Sequence, residues 1–192
     1  MPSPLLVEVP QEIETERLLL RVPRAGDGPA LHEAVSESLV ELRRFIASVP
    51  WVAQEQSVES SEIYCRTALS NFVARKDMPY LLFERKSSTL VGCAGLHRPN
   101  WDMPRFEVGY WCRTASAGHG FVTEAVSALV HLAEARLSAV RLELIADAEN
   151  TRSRAVADRA GFQLEGVLRS ERRAADGSLR NTCVYARVRS AA

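Results

Sequence analysis

A chain of 192 residues with 46% apolar and 25% charged positions is the size of one domain and can bury a substantial core. Its 24 basic and 24 acidic residues cancel, which excludes the basic character of a nucleic-acid binder or a polybasic membrane anchor. Cys65, Cys93, Cys112 and Cys183 are too scattered for a zinc site or a disulfide framework, so no metal is expected. They read as reduced thiols of a cytoplasmic protein. Met1 to Pro10 holds three prolines and no basic stretch leading into an apolar run, so no secretory signal is expected. Residues 1–15 read as a flexible arm before a single domain over 16–190. Arg17 to Val22 is a strand, closed by Pro23 and the Gly26-Asp27-Gly28-Pro29 punctuation. Asp27 is placed to cap a helix carrying Leu31, Ala34 and Val35. A second short helix with Leu39, Leu42, Phe45 and Ile46 ends before Pro50, and Trp51 follows in a loop. A third helix, near Val58 to Ala74, turns Ile63, Ala68, Leu69, Phe72 and Val73 inward.

Strands over Pro79–Arg85 and Thr89–Leu96 then flank a polar turn, and a loop with Pro99, Asn100 and Pro104 leads to a strand over Phe106–Cys112. Val122, Ala125, Val126, Leu129, Ala133 and Leu137 recur at helical spacing, so a long helix follows. Another strand covers Val140–Ala146, and a helix over Thr151–Ala160 stops at Gly161, a left-handed cap. Two strands around Asp176-Gly177 close the chain. Membrane spans and internal repeats are not seen. The order predicts a mixed α/β domain.

The most informative stretch is Ala117-Gly118-His119-Gly120-Phe121-Val122-Thr123, where a strand passes through a Gly-x-Gly turn into the long helix. Free N–H groups and the positive end of the helix dipole converge there, and the glycines let an anion approach closely. A purely structural tight turn has the same local pattern. The nucleotide loop Gly-x-x-x-x-Gly-Lys-Ser/Thr is absent, and Thr123 breaks the dinucleotide fingerprint.

The chain resembles the GNAT superfamily of acyl-CoA N-acyltransferases, in its RimJ/RimL-type branch. The residues that carry the likeness span nearly all of it: Thr15-Glu16-Arg17-Leu18-Leu19-Leu20-Arg21, Leu42-Arg43-Arg44-Phe45 with Trp51, Glu107-Val108-Gly109-Tyr110-Trp111, Gly118 to Ala125, Asn150-Thr151-Arg152-Ser153 and Ala160-Gly161-Phe162. The resemblance implies a mixed, mostly antiparallel sheet with splayed central strands and flanking helices. It also implies acetyl-CoA as cosubstrate, its pyrophosphate on the N–H groups of Ala117, Gly118, His119, Gly120, Phe121, Val122 and Thr123. The pantetheine arm would lie in the splay, on backbone groups of Tyr110, Trp111, Cys112 and Arg113, with the Asn150 amide beside it. Phe45 and Trp51 resemble the aromatic pair that walls the acceptor side. Three positions depart from the pattern: Ala115 stands where Gln or Arg is common, Ala157 where a tyrosine acid is usual, and Asn181 where an Asp precedes Tyr185. Arg113 could supply the missing charge.

Amide formation from a thioester needs a neutral amine, a polarised carbonyl and a proton for the leaving thiolate. Glu107, a charge within an apolar strand, is the candidate general base, acting through water; an outward residue paired with an arginine is the plainer alternative. Ser153, one turn after Asn150, is the candidate proton donor, as in relatives with Asn-x-x-Ser. His119 is expected to act through its backbone only and Cys112 as a bystander, while His97 and His131 read as surface or helix-face residues. The resemblance implies as acceptor a protein N-terminal amine, or a small amine, amino-acid derivative or antibiotic. Glu55, Glu59 and Glu62 would favour a polyamine if they face the cleft. A catalytically silent acyl-CoA sensor is the alternative of another class. Homodimerisation through the strand tail is compatible with the pattern.

Overall fold

The computed structural model describes residues 3–47 and 49–189. Residues 1 and 2 of the expected arm, position 48, and position 190 at the expected domain end lie outside the described residues. The strands are β1 (Glu12–Glu14), β2 (Leu18–Arg21), β3 (Met78–Glu84), β4 (Leu90–Asn100), β5 (Arg105–Cys112), β6 (Arg141–Asp147), β7 (Gln163–Arg173) and β8 (Leu179–Val188). The helices are α1 (Gly28–Ile46), α2 (Pro50–Ala53), α3 (Val58–Val73), α4 (Phe121–Arg136) and α5 (Thr151–Arg159). The strands form one eight-stranded sheet in the order β1-β2-β3-β4-β5-β6-β8-β7. All neighbours are antiparallel except β5 and β6.

β3 and the first part of β4 are apolar without alternation because both faces are covered. On one face α4 lays Ala125, Val126, Leu129 and Ala133 onto Leu18, Leu20, Leu82, Leu96 and Val108. On the other, Leu31, Val35 and Leu42 of α1 and Cys65 of α3 pack over Leu81, Leu90 and Cys93. Each large aliphatic side chain buried in this way contributes roughly 1.5–3 kcal/mol. Among the described residues no helix is long and apolar enough to cross a membrane.

The structure departs from expectation in the first half of the chain. Part of the stretch read as an arm is tied down, since β1 pairs with β2 and Val9 is buried. The two early helices are one, α1. Ser38 does not interrupt it, because its hydroxyl donates to Ala34 O at 2.7 Å and accepts from Thr114 N at 2.9 Å. Trp51 lies in the short α2. Asp27 makes no side-chain cap; its carboxylate accepts both arms of Arg21 at 2.6 Å. Glu62 of α3 serves the start of α1 instead, accepting from the N–H groups of Gly26 at 3.0 Å and Gly28 at 3.1 Å. Any Cβ at position 28 would strike the Glu62 backbone at 2.8 Å, so glycine sets how closely the two helices pack. Ile63 and Val73 are 57% and 58% exposed, because α3 buries the smaller row Ser61, Cys65 and Ala68 with Phe72. Gly161 does close α5 in a left-handed conformation, with Phe162 N donating back to Ala157 O at 3.0 Å.

Candidate active site

β5 and β6 pair only from Arg105–Glu107 to Arg141–Glu143. Beyond Glu107 the two strands part, and the outer backbone groups of β5 have no β6 partner. Alternation places Val108, Tyr110 and Cys112 toward α4 and Trp111 toward α1 and α3. The gap therefore joins the two faces of the sheet. A cleft of about 2080 Å³ runs through it.

At one end of the cleft Gly118 and Gly120 adopt φ of +85° and +79°, which leads the chain into α4 without a side-chain cap. Among the described residues, no protein acceptor takes the N–H groups of Gly118 to Thr123, whereas Ala117 N is already spent on Thr114 O at 3.1 Å. Six donors at a helix N-terminus form a fitting seat for a pyrophosphate. The turn is braced from β2: Arg17 donates to His119 O at 2.8 Å and to Glu124 at 2.7 Å, and Glu124 also accepts from Thr15 Oγ1 at 2.6 Å. The His119 ring stacks on Phe121 with centroids 5.8 Å apart.

In the middle of the cleft Asn150 caps α5, its Oδ1 accepting from Ser153 N at 3.1 Å, which leaves its NH2 free for a ligand. Ser153 Oγ lies 2.9 Å from the phenol of Tyr110. Burial pushes the Tyr110 pKa up to about 12, so the phenol stays protonated at neutral pH. Ala157, at the site of the absent tyrosine, is wholly buried in the core. Burial also pushes the Cys112 thiol up to about 11, which keeps it from acting as a thiolate nucleophile.

On the far side Trp51 and Trp111 face each other with centroids 6.3 Å apart, and Phe45 joins them in the wall. Glu107 faces this space but accepts from Arg98 at 2.6 Å, the arginine contact weighed in the sequence. Glu55 lines the cleft, while Glu62 is held at the start of α1. His97, read as a surface residue, also lines it.

The cleft gathers Phe45, Trp51, Glu107, Tyr110, Trp111, Cys112, Ala117 to Thr123, Asn150 and Ser153. Arg113 is the exception. Its guanidinium turns to α1 and is held by Glu33 and Glu37 at 2.6 Å each, so its charge is matched away from the cradle. Three contacts were invisible in the sequence: Arg17–Glu124, Tyr110–Ser153 and His97–Asp77. Their partners are 107, 43 and 20 residues apart, and no local pattern joins them. Among the described residues no cluster of three or more His, Cys, Asp or Glu could hold a metal.

Residues 17–163 match the family model of the acetyltransferase (GNAT) domain. The chain is 26% identical over 157 residues to the N-acetyltransferase YoaA of Bacillus subtilis (strain 168), covering 82% of this chain and 85% of that protein. It is 26% identical over 154 residues to the ribosomal-protein-serine acetyltransferase of Escherichia coli (strain K12), covering 76% and 85%. Among solved structures, the RimL ribosomal L7/L12 alpha-N-protein acetyltransferase in complex with coenzyme A superposes with a TM-score of 0.84 at 22% identity, over 92% of this chain and 97% of that one. The microcin C7 self-immunity acetyltransferase MccE, in complex with acetyl-CoA and AMP, superposes with a TM-score of 0.83 at 20% identity, over 94% and 98%. With the parted strands, the cradle and the matched domain in agreement, this chain belongs to the GNAT acetyltransferase family, on its RimJ/RimL-type side, and is an acyltransferase.

Proposed function

We infer that the protein transfers an acetyl group from acetyl-CoA to a primary amine, with the N-terminal amine of a protein as the favoured acceptor and residues 16–190 as the catalytic unit. The observation that carries this reading is one cleft with an unpaired N–H cradle at one end and an aromatic wall at the other. The names of the ribosomal-protein relatives support the protein acceptor.

Acetyl-CoA supplies the activated thioester carbonyl. The N–H groups of Gly118 to Thr123 hold its pyrophosphate, and the backbone groups of Tyr110 to Cys112 on the side away from β4, with the Asn150 amide, position its arm. Backbone N–H groups there also stabilise negative charge on the carbonyl oxygen. Phe45 and Trp51 wall the acceptor, and Glu107 draws in the ammonium and acts as base through a water. Ser153, hydrogen-bonded to the Tyr110 phenol, passes a proton to the leaving sulfur. Holding both reactants in one cleft contributes much of the acceleration.

Thiol release from acetyl-CoA, measured against N-terminal peptides, polyamines, amino acids and aminoglycosides, tests this reading. Release with a peptide amine, confirmed as N-terminal acetylation by mass spectrometry, is expected. Release confined to small amines moves the acceptor to that class. Acetyl-CoA binding without release to any amine would overturn the reading in favour of a silent acyl-CoA sensor.

A further inference from the structure

His97 of β4 stands directly opposite Glu107 of β5 in the strand register. The part of its ring around Nε2 lies over the cross-strand pair Gly95 and Gly109. A Cβ at position 95 would meet the imidazole at 2.8 Å, and one at position 109 would meet Nε2 at 3.0 Å, so the two glycines clear the floor on which the ring rests. Nδ1 is 2.6 Å from Asp77 Oδ1, just before β3, with the two side chains 29% and 34% exposed. A carboxylate only accepts, so in the neutral ring Nδ1 carries the hydrogen and Nε2 carries the lone pair. Among the described residues Nε2 has no hydrogen-bond partner, and His97 lines the acceptor side of the cleft. The ring is thus oriented by a carboxylate, seated on a shaped floor, and left with an unused acceptor. Glu107, by contrast, already has one oxygen engaged by Arg98.

We propose that Nε2 of His97, oriented by Asp77, accepts the proton released by the acceptor ammonium, beside Glu107. The proposal rests on the acyl-transfer reading above. The ammonium gives one proton to Nε2, and Asp77 stabilises the imidazolium. The freed lone pair forms the C–N bond at the thioester carbonyl, and the C–S bond breaks with its electron pair on sulfur. Ser153 gives its hydroxyl proton to the sulfur and takes the second proton from the nitrogen, so the serine ends as it began. The imidazolium then returns its proton to solvent. In this arrangement the base role given above to Glu107 passes to His97, and the Glu107 carboxylate, with one oxygen held by Arg98, offers its other oxygen to the ammonium. A paired imidazole–carboxylate serves because imidazole exchanges protons in the neutral range, where an amine must be uncharged to attack.

The other groups on this side are Arg98 and Glu107 from the strand pair, Glu55 in the cleft wall, Cys93, and Tyr64 of α3. Burial pushes the Cys93 thiol up to about 12 and raises the Tyr64 phenol, so both remain protonated and uncharged at neutral pH.

The test is kcat/KM against pH for a peptide with an N-terminal serine, in wild type, His97→Gln, Asp77→Asn and Glu107→Gln. Acetyl-CoA binding by calorimetry serves as the folding control. His97→Gln should lower kcat on the order of 10²-fold, the usual scale for losing a general base, and should remove the acid limb of the profile. Asp77→Asn can donate to Nδ1 and so shift the hydrogen to Nε2; it should lower kcat with little change in KM. Glu107→Gln should raise the peptide KM and keep the limb. Free imidazole should restore part of the activity of His97→Ala. A His97→Gln enzyme with wild-type kcat and an unchanged acid limb would overturn the proposal. Long-range nitrogen NMR of the wild-type ring gives an answer that needs no acceptor: hydrogen on Nδ1 is expected, and hydrogen on Nε2 overturns the assignment. If no peptide is acetylated, the acceptor reading fails, and the NMR result still decides His97.

Discussion

The phenol oxygen of Tyr110, on β5, lies 2.9 Å from Ser153 Oγ, on α5. The pair bridges the two sides of the gap where the sheet parts, at the level of the expected thioester. A hydroxyl that would otherwise face water is thereby given a fixed direction and a second hydroxyl behind it.

Ser153→Ala should lower kcat by about 10²-fold at unchanged affinity for acetyl-CoA, since general-acid contributions are typically about 10²–10⁴-fold. Tyr110→Phe keeps the ring and removes the second hydroxyl, and should cost less. Steady-state kinetics with a viscosogen, to separate chemistry from product release, checks both. Equal kcat in Ser153→Ala and wild type would remove the serine from the mechanism.

The cradle predicts a different split. Gly118 has open space where a Cβ would stand, so Gly118→Ala is charged only for its left-handed backbone, about 1–2 kcal/mol. Acetyl-CoA affinity by calorimetry should fall about 5- to 30-fold if that strain reopens the turn in the free enzyme. The peptide KM at saturating acetyl-CoA should not change.

Glu124 links the turn to β2, and its behaviour with pH follows from its contacts. Burial alone would raise its pKa, but hydrogen bonds from Thr15 and Arg17 outweigh that and hold it below the usual 4.5. A depressed carboxylate contributes stability above its unfolded pKa and loses it as pH falls through the folded value. Wild-type Tm should therefore drop below about pH 4.5 more steeply than that of Glu124→Gln. Scanning calorimetry across that range reads the difference. At pH 7 the variant should be the less stable of the two.

Cys112 lies beside the expected thioester, yet its thiol is pushed up to about 11 by burial. Cys112→Ser should therefore keep the wild-type kcat. Intact mass after acetyl-CoA alone should show no acetyl adduct on the wild type, and an adduct lost in Cys112→Ser would point to a covalent route.

Trp51 and Trp111 meet on the acceptor side. Trp51→Ala should raise the peptide KM several-fold and leave acetyl-CoA binding alone, the mark of lost acceptor binding.

Much of this architecture was legible because it is written locally. Helical spacing in α4, the glycine stop at Gly161 and the Gly-x-Gly turn each depend on residues a few positions apart. The branch-specific motifs added the parted strands, which the register then showed to separate after Glu107. Reading the first half went less well for a physical reason. The break expected between Val35 and Leu39 is absent from α1, where Ala34 and Thr114 satisfy the Ser38 hydroxyl. Asp27 looks like a cap until Arg21 claims it. Ile63 looks like core until small residues on the opposite face of α3 win the contact with α1.

The sequence by itself determined the family, most of the order of elements and the Gly-x-Gly turn into α4, because backbone conformation and side-chain periodicity are set by near neighbours. Tertiary structure alone decided which polar groups are free. It bound Arg113 to Glu33 and Glu37, set Tyr110 behind Ser153, and joined His97 to Asp77 over a floor of two glycines. Those outcomes are competitions between partners brought together by folding, and a charge or hydroxyl shows its use only once its competitors are in place.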